Sequence, residues 1–412
     1  MKENKKTPDI RFKGFTDDWE QRKFSDLVTI ERGGSPRPID KYITNDKNGL
    51  NWIKIGDAPE QGNYITQTAE KIKPEGLAKT REVHSGDLIL SNSMSFGRPY
   101  IMAIDGCIHD GWLAIRDTEK NFDLKFLCTL LGTDNMLNQY KSMAAGSTVN
   151  NLNKELVGGT KVLLPIMNEQ VQIGQYFSQI DNLITLHQRE CDQLKELKKT
   201  MLKKMFPRDD SNIPEVRFAG FTDDWEQRKL IEVCDYVDYR GKTPRKTKTG
   251  VFLVTAKNVK DGYIDYEASK EYISYNDYDE VMKRGIPEIG DVLFTTEAPC
   301  GNVAQVDKPN IALAQRIIKY RGKDNIINNN YLKYYLLAPT FQKNIDKKSS
   351  GGTVQGIKGS VLHQQAMQYP SYIEQQKVGM ILNIIDNLIT LHQRELEILK
   401  NLKKTCLKRM FI

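Results

Sequence analysis

The sequence carries the same pair of blocks twice, about 205 residues apart. The segment PDIRFKGFTDDWEQRK at 8–23 returns at 214–229 as PEVRFAGFTDDWEQRK, and IDNLITLHQRE at 180–190 returns unchanged at 385–395. Self-similarity at one long period indicates that a chain is built from copies of a single unit. The 412 residues also exceed the size at which one hydrophobic core usually stops growing. Two similar domains are therefore predicted.

The stretches between these blocks agree only in outline. GGSPRP near 33 corresponds to GKTPRK near 241, and GDLIL at 86–90 corresponds to GDVLF at 290–294. Short β-type runs alternate with Gly, Pro and Asn turns, and a more helical stretch follows in each half, which predicts an α+β fold. The repeated blocks are alike, whereas the globular parts between them differ. This suggests one scaffold that carries two different surfaces.

Two long helices are predicted at 168–206 and 374–411, where apolar residues recur at heptad spacing without an intervening proline. An apolar seam of this kind needs a partner, so the two helices are expected to form an antiparallel coiled coil with pseudo-two-fold symmetry. One heptad position is predicted to form the helix-pair interface, namely Ile173, Ile180, His187, Leu194, Val378, Ile385, His392 and Leu399. The other seam position holds Tyr176, Leu183, Leu197, Ile381, Leu388 and Leu402.

His187 and His392 occupy the same position of the repeated block, near the middle of each helix. In an antiparallel pair they should approach each other at the centre. The favoured interpretation is a polar pair that fixes the register of the helices. The alternative is a role in metal binding or as a proton switch.

Composition excludes little. Sixty Lys and Arg against 53 Asp and Glu give a net charge of +7, which fits a polyanionic partner but also many ordinary proteins. The six cysteines are scattered without a CxxC, so neither a metal site nor a disulfide framework is predicted. No apolar run is long enough to span a bilayer, and the first residues lack the core of a signal peptide. A soluble, cytoplasmic protein is expected.

Two basic loops are candidates for contact with DNA, because Lys and Arg neutralise phosphates and Arg also reaches base edges. A solvated basic loop is the alternative, although its recurrence in both halves favours contact. The residues predicted here are Arg32, Ser35, Arg37 and Lys41 in the first half, and Arg240, Lys242, Thr243, Arg245, Lys246, Lys248, Lys257 and Asn258 in the second.

Two polar, Gly-containing stretches also recur in each half. Hydroxyls and amides on such a backbone can hydrogen-bond phosphates and bases, although the same residues commonly form turns. The predicted contacts are Ser91, Asn92, Ser93, Arg98, Ser147, Thr148 and Asn150 in the first half, and Thr295, Thr296, Thr353 and Gln355 in the second.

No catalytic signature is recognisable. The GKT at 241–243 lacks the earlier glycine of a phosphate-binding loop, and no GxSxG, HExxH or (N/D)PP(Y/F) motif is present. Asp87 and Glu297 near strands could be imagined in a nuclease site, but Gly-Asp after a loop is ordinary turn chemistry. A non-catalytic DNA-recognition protein is therefore predicted. The alternative is a duplicated protein–protein interaction scaffold without DNA specificity.

The ordered set of motifs resembles the specificity subunits of type I restriction-modification systems. The RFxGFTDDWEQRK blocks, the LPIMNEQ stretch at 164–170, its partner YPSYIEQQ at 369–376 and the repeated helices carry this resemblance over nearly the whole chain. It implies a first lead-in and target recognition domain at 1–165, a spacer helix at 166–208, a second lead-in and recognition domain at 209–370, and a second spacer helix at 371–412.

The resemblance also implies a mechanism of defence against foreign DNA. Each domain would read one half of a split double-stranded target, and the helices would set the unread spacer. Two modification subunits would bind S-adenosylmethionine and methylate adenine N6, and two motor-nuclease subunits, with ATP and Mg²⁺, would cleave. Catalysis and all cofactors would then belong to these partners and none to this chain.

Overall fold

The computed structural model describes residues 6–92, 96–144, 152–208, 211–239, 241, 244–351 and 355–412. The chain divides into two compact units, which are Met1–Glu190 with His392–Ile412 and Cys191–Leu391. Each unit contains sheets, short helices and a part of both long helices. This is the α+β architecture that the repeated sequence predicts.

The first unit contains three sheets, with strand orders β3-β6-β4-β10-β7, β2-β11-β8-β9-β5 and β1-β12. The strands are β1 (Glu20–Lys23), β2 (Thr29–Arg32), β3 (Ile43–Thr44), β4 (Leu50–Ile53), β5 (Tyr64–Ile65), β6 (Glu70–Ile72), β7 (Arg81–Val83), β8 (Leu88–Ser91), β9 (Pro99–Met102), β10 (Gly106–Ile108), β11 (Trp112–Arg116) and β12 (Lys161–Leu164). The helices are α1 (Leu124–Leu131), α2 (Asp134–Ala144), α3 (Lys154–Gly158) and α4 (Met167–Lys204), whose last residues belong to the second unit.

The second unit repeats this plan with sheets β14-β21-β18-β19, β15-β17-β16-β20 and β13-β22. The strands are β13 (Glu226–Lys229), β14 (Cys234–Asp238), β15 (Lys246–Thr247), β16 (Val251–Val254), β17 (Tyr272–Ile273), β18 (Val292–Thr296), β19 (Cys300–Gln305), β20 (Ala312–Leu313), β21 (Ile317–Gly322) and β22 (Ala366–Tyr369). The helices are α5 (Leu230–Val233), α6 (Tyr278–Val281), α7 (Asn329–Leu337), α8 (Pro339–Lys348), α9 (Gly359–His363) and α10 (Tyr372–Met410), which ends in the first unit.

The continuous apolar run of β8 reflects burial on both faces. Leu88 and Leu90 pack with α1 residues such as Phe126, whereas Ile89, which points to the opposite face, packs with Ile53 of the other sheet. Successive side chains of a strand alternate between faces, so one strand serves two cores. In the second unit, β18 places Val292 and Phe294 in one core and Leu293 in the other in the same way.

The last four residues of each repeated DWEQRK block form one strand of a two-stranded sheet. β1 pairs antiparallel with β12, and β13 pairs antiparallel with β22. Just upstream, Arg11 donates to both carboxylate oxygens of buried Glu169 at 2.6 and 2.8 Å, and Arg217 does the same to Glu374 at 2.8 and 2.9 Å. The hydrogen bond that Arg11 donates to Glu169 raises the pKa of Arg11. These motif residues therefore tie each lead-in to the start of a long helix.

The next residue of each motif ties the helix to its domain. Gln170 accepts from the Asp123 amide at 3.0 Å, and Gln375 accepts from the Asn328 amide at 2.9 Å. Gly174 lies close to the start of α1, where a Cβ would stand 2.4 Å from Asp123 Oδ1. The glycine is needed because no side chain fits between the two helices at this point.

The two long helices run antiparallel, as predicted. In the first unit Asp181 lies 2.5 Å from Lys403 and His187 lies 3.0 Å from His392, so residue numbers rise along α4 as they fall along α10. In the second unit Lys198 lies 2.6 Å from Asp386, the equivalent pair with the helices exchanged. The predicted approach of the two histidines is confirmed.

The two heptad positions of the predicted apolar seam differ in burial. Ile173, Ile180, Val378 and Ile385 are buried, His187, His392, Leu194 and Leu399 are partly buried, and Leu183, Leu197, Leu388 and Leu402 stay exposed. A straight helix drifts relative to a strict heptad. The helices also bury residues outside the seam against their domains, as Phe177 shows in the first core.

Among the described residues, no helix combines the length and the apolar character needed to cross a membrane.

Candidate nucleic-acid interface

Predicted contact residues of the first unit converge on one turn, at Asp110. Arg32 donates to its carbonyl at 3.3 Å and Asn92 to the same carbonyl at 2.8 Å. Ser35 donates to its carboxylate at 3.0 Å, and the Arg37 guanidinium lies 4.0 Å away. Two segments that are far apart in sequence are thus joined by a residue that sequence analysis did not single out. Asp110 lies in an isolated HDG turn that carries no recognisable signal.

The basic loop and this turn line an open groove of about 1170 Å³, together with Trp52, Lys54 and Glu70. The Arg37 side chain is 84% exposed, and its distant contact with Asp110 is of the kind that contributes little to stability. Arg37 is therefore free to exchange this partner for a phosphate or a base edge. Lys54, by contrast, is paired with Glu70 at 2.5 Å.

The loop can lie this close to the turn because its first residue is a glycine. A Cβ on Gly33 would stand 2.2 Å from the carbonyl oxygen of His109. Lys41, at the end of a short 3₁₀ turn, is exposed. The first basic loop therefore has a fixed base and exposed cations.

In the polar stretch SNSMSFGR, three predicted residues make contacts within the unit. Ser91 and Asn92 are buried, and Ser91 Oγ accepts from the amide of Arg98 at 3.0 Å. The Arg98 guanidinium donates to the carbonyls of Glu60 at 2.9 Å and Gly62 at 3.2 Å. These groups are occupied in shaping two turns. Ser93, Ser147, Thr148 and Asn150 lie outside the described residues.

The second basic loop is shorter than predicted, because Lys246 begins strand β15. Its backbone pairs with Ile273, and its ammonium lies 2.7 Å from Glu271. Arg245, Lys248 and, farther along the chain, Lys257 are exposed. Arg240, Lys242, Thr243 and Thr353 lie outside the described residues, and Gln355 is exposed.

Three residues of the second unit that are predicted to contact DNA are buried. Asn258 accepts from the amide and hydroxyl of Thr255 and donates to two backbone carbonyls at 2.8 Å, so its amide is saturated. Thr295 accepts from the amide of Asn302 at 2.9 Å. Thr296 donates to the Arg316 carbonyl at 3.2 Å. Because buried polar groups need internal partners, these residues stabilise the turns instead.

Arg316 is a residue that sequence analysis missed. The amide of Thr296 donates to its carbonyl at 2.8 Å, as the amide of Asn92 donates to Gly111 at 2.9 Å, so Arg316 occupies the turn equivalent to Asp110–Gly111. Its φ is +83°, a conformation that is rare for a bulky residue and is often found at functional sites. Its side chain is 46% exposed and lies 3.4 Å from Glu297.

The repeated Gly-Asp turns form ion pairs within the scaffold. Asp87 Oδ2 accepts from the His84 amide at 2.9 Å and from Arg116 at 3.0 Å, and Asp291 accepts from Arg321 at 2.7 Å. Burial alone would raise the pKa of Asp291, but hydrogen bonds from Arg321 and the backbone outweigh it and lower that pKa. These contacts agree with the interpretation as turn chemistry.

Comparison with known families decides the assignment. The sequence model of the type I restriction modification DNA specificity domain matches residues 16–196 and again 222–401. The chain belongs to this family. As a specificity subunit it recognises DNA sequence, and an interaction scaffold without DNA specificity is not favoured.

Individual relatives span the chain. The type I restriction enzyme MjaVIII specificity subunit of Methanocaldococcus jannaschii is 25% identical and covers 94% of this chain and 91% of its own length. The putative MjaX specificity subunit of the same organism is 24% identical over the same shares. The crystal structure of a type I restriction-modification S subunit from M. genitalium has a TM-score of 0.65 at 15% identity, covering 98% of this specificity subunit and 99% of its own chain. That likeness supports the fold.

Proposed function

We propose that this specificity subunit reads a bipartite double-stranded DNA target, one half with each unit. The observation that carries the proposal is one structurally equivalent turn with different chemistry in the two units. The turn before β11 presents Asp110 and Gly111, whereas the turn before β21 presents Gln315 and Arg316. Two similar scaffolds with unlike polar turns are suited to two unlike half-sites.

Affinity and discrimination come from different residues in this proposal. Exposed cations such as Arg37, Arg245 and Lys248 contact phosphates and supply an affinity that falls with salt. Discrimination comes from Arg316 and from the groups around Asp110, which contact base edges in this proposal. Each correct base contact adds about 1 to 3 kcal/mol of discrimination.

The long helices supply docking surfaces for catalytic partners in the same proposal. Apolar side chains on the helices remain exposed within each unit, where contiguous apolar surface usually marks an interaction site. They are Leu183, Leu186, Ile398 and Leu402 in the first unit, and Leu197, Met380, Ile384, Leu388 and Leu391 in the second. We assign them to two modification subunits, with two motor-nuclease subunits joining for cleavage.

Chemistry belongs to those partners. The modification subunits bind S-adenosylmethionine and methylate adenine N6, while the motor-nuclease subunits use ATP and Mg²⁺, so this chain contributes recognition and no catalytic group. The complex acts in the cytoplasm, where it meets foreign DNA.

A domain exchange tests the bipartite reading. Residues 24–165 are replaced by the corresponding segment of another specificity subunit, the chain is expressed with its modification subunit, and the methylated motif is determined by methylome sequencing. One half-site should change while the other is retained, and the reciprocal exchange of 230–370 should change the other half. Alteration of both halves by one exchange would contradict the assignment of one half-site to each unit.

A further inference from the structure

Four side chains of kinds that can bind metals meet where α4 and α10 lie side by side in the first unit. They are His187 and Glu190 from α4 and His392 and Glu395 from α10. Each pair comes from one copy of LHQRE and has the spacing His-x-x-Glu, which puts both side chains on the same face of a helix. Because the helices run antiparallel, the two pairs face each other.

Five distances among the four ligand groups are close to those around one small cation. The two Nδ1 atoms are 3.0 Å apart. The Nδ1 of His187 lies 3.2 Å from Glu395 and 3.8 Å from Glu190, and the Nδ1 of His392 lies 3.4 Å from Glu190 and 3.7 Å from Glu395. Tetrahedral ligands at the usual zinc distances of about 2.0 to 2.2 Å are about 3.4 Å apart. Five of the six pairs therefore fall around the expected value.

Hydrogen bonds among the four side chains cannot satisfy all of their lone pairs at once. Each Nδ1 offers one hydrogen or one lone pair, yet three potential acceptors surround it within 3.8 Å. A single dication would instead accept a lone pair from every group and balance the charge of both carboxylates. The imidazoles are about 80% buried, with side-chain exposures of 20% and 18%, which limits competition from water.

We propose that His187, Glu190, His392 and Glu395 bind one divalent transition-metal ion that clamps the two long helices together. Two imidazoles with two carboxylates suit Zn²⁺ or a neighbouring first-row ion and not Mg²⁺ or Ca²⁺, which take oxygen ligands. The Cys and His spacing rules predicted no metal site because the ligands come from two helices, 205 residues apart. Bound metal would stabilise the helix pair beyond its apolar contacts.

Metal binding by the untagged full chain tests the proposal. Protein freed of metal with a chelator is titrated with Zn²⁺ by calorimetry, and Co²⁺ is added to a second sample to record its visible absorption. The variants are His187→Gln, His392→Gln and the double change Glu190→Gln with Glu395→Gln. His84→Gln is the matched control, because that histidine belongs to the same unit and is exposed outside the cluster.

One Zn²⁺ should bind per chain, and Co²⁺ should show the intense bands of a tetrahedral site. At Zn²⁺ concentrations 100 times the Kd, the folded-to-unfolded ratio of the wild type should rise about 100-fold. The histidine variants should lose this shift, the glutamate variant should bind at least about tenfold more weakly, and His84→Gln should behave as wild type. Absence of binding in the wild type, or binding that the cluster variants leave unchanged, overturns the proposal. An octahedral Co²⁺ spectrum also overturns it.

Discussion

Replacing Glu374 with Gln should strongly destabilise the second unit, because this carboxylate is the buried partner of Arg217. Glu374 is 1% exposed and accepts from Nε and Nη2 of Arg217 at 2.8 and 2.9 Å. Gln keeps one acceptor oxygen but removes the charge, leaving the guanidinium uncompensated at 12% exposure. Loss of one partner of a buried ion pair costs about 3 to 5 kcal/mol, and the partial exposure of Arg217 favours the lower end.

Thermal unfolding followed in the full chain measures this effect. For a unit of this size, about 3 kcal/mol corresponds to a Tm about 6 to 12 °C lower. The double variant Arg217→Gln with Glu374→Gln is the control, since it removes both charges. It should be more stable than the sum of the two single changes predicts. A single variant that melts within about 2 °C of wild type, or strictly additive changes, would refute the reasoning.

Three further outcomes are expected. Gly174→Ala should lower the Tm, because the alanine Cβ would stand 2.4 Å from Asp123 Oδ1. Such overpacking costs about 1 to 3 kcal/mol, which exceeds the gain in helix propensity of about 1 kcal/mol. Arg316→Gly should relieve the backbone strain at φ +83° and raise the Tm. Binding assays with the assembled complex should show about 1 to 3 kcal/mol less discrimination at one half-site. Unchanged discrimination would contradict a base-reading role. Burial lowers the pKa of Lys333 from 10.5 to about 8. Between these two values the unfolded chain binds more protons than the folded chain, so the stability of the second unit should rise with pH. Denaturation experiments at pH 7.5 to 9.5 should show this dependence in the wild type and not in Lys333→Met.

The helices could be predicted closely because their signal is long. Predicted limits of 168–206 and 374–411 compare with Met167–Lys204 and Tyr372–Met410 in the structure. The contact between His187 and His392 followed from symmetry, since an antiparallel pair of equivalent helices places a central residue opposite its own counterpart. The exposure of Leu183, Leu197, Leu388 and Leu402 could not be predicted. Heptad spacing does not show which apolar residues pack against the attached domain.

The candidate DNA-reading residues were harder to predict, for a local reason. A Thr or Asn in a Gly-containing turn has the same sequence appearance whether it bonds its own backbone, as Asn258 and Thr295 do, or is available to a ligand. Strand β15 has two residues, too few to show an alternating pattern. Asp110 and Arg316 became recognisable only when β-sheet pairing placed their turns beside the basic loop and Glu297.

The two units of this specificity subunit also provide an internal comparison that separates scaffold from recognition. Where both units use the same group in the same place, as with Glu169 and Glu374, the contact is buried and holds a helix to its lead-in. Where the same turn carries Asp110 and Gly111 in one unit and Gln315 and Arg316 in the other, the backbone hydrogen bond is kept and the side-chain chemistry differs. Since the family reads DNA, we expect base selectivity first at these two turns, ahead of the buried hydroxyls and amides of the neighbouring polar stretches.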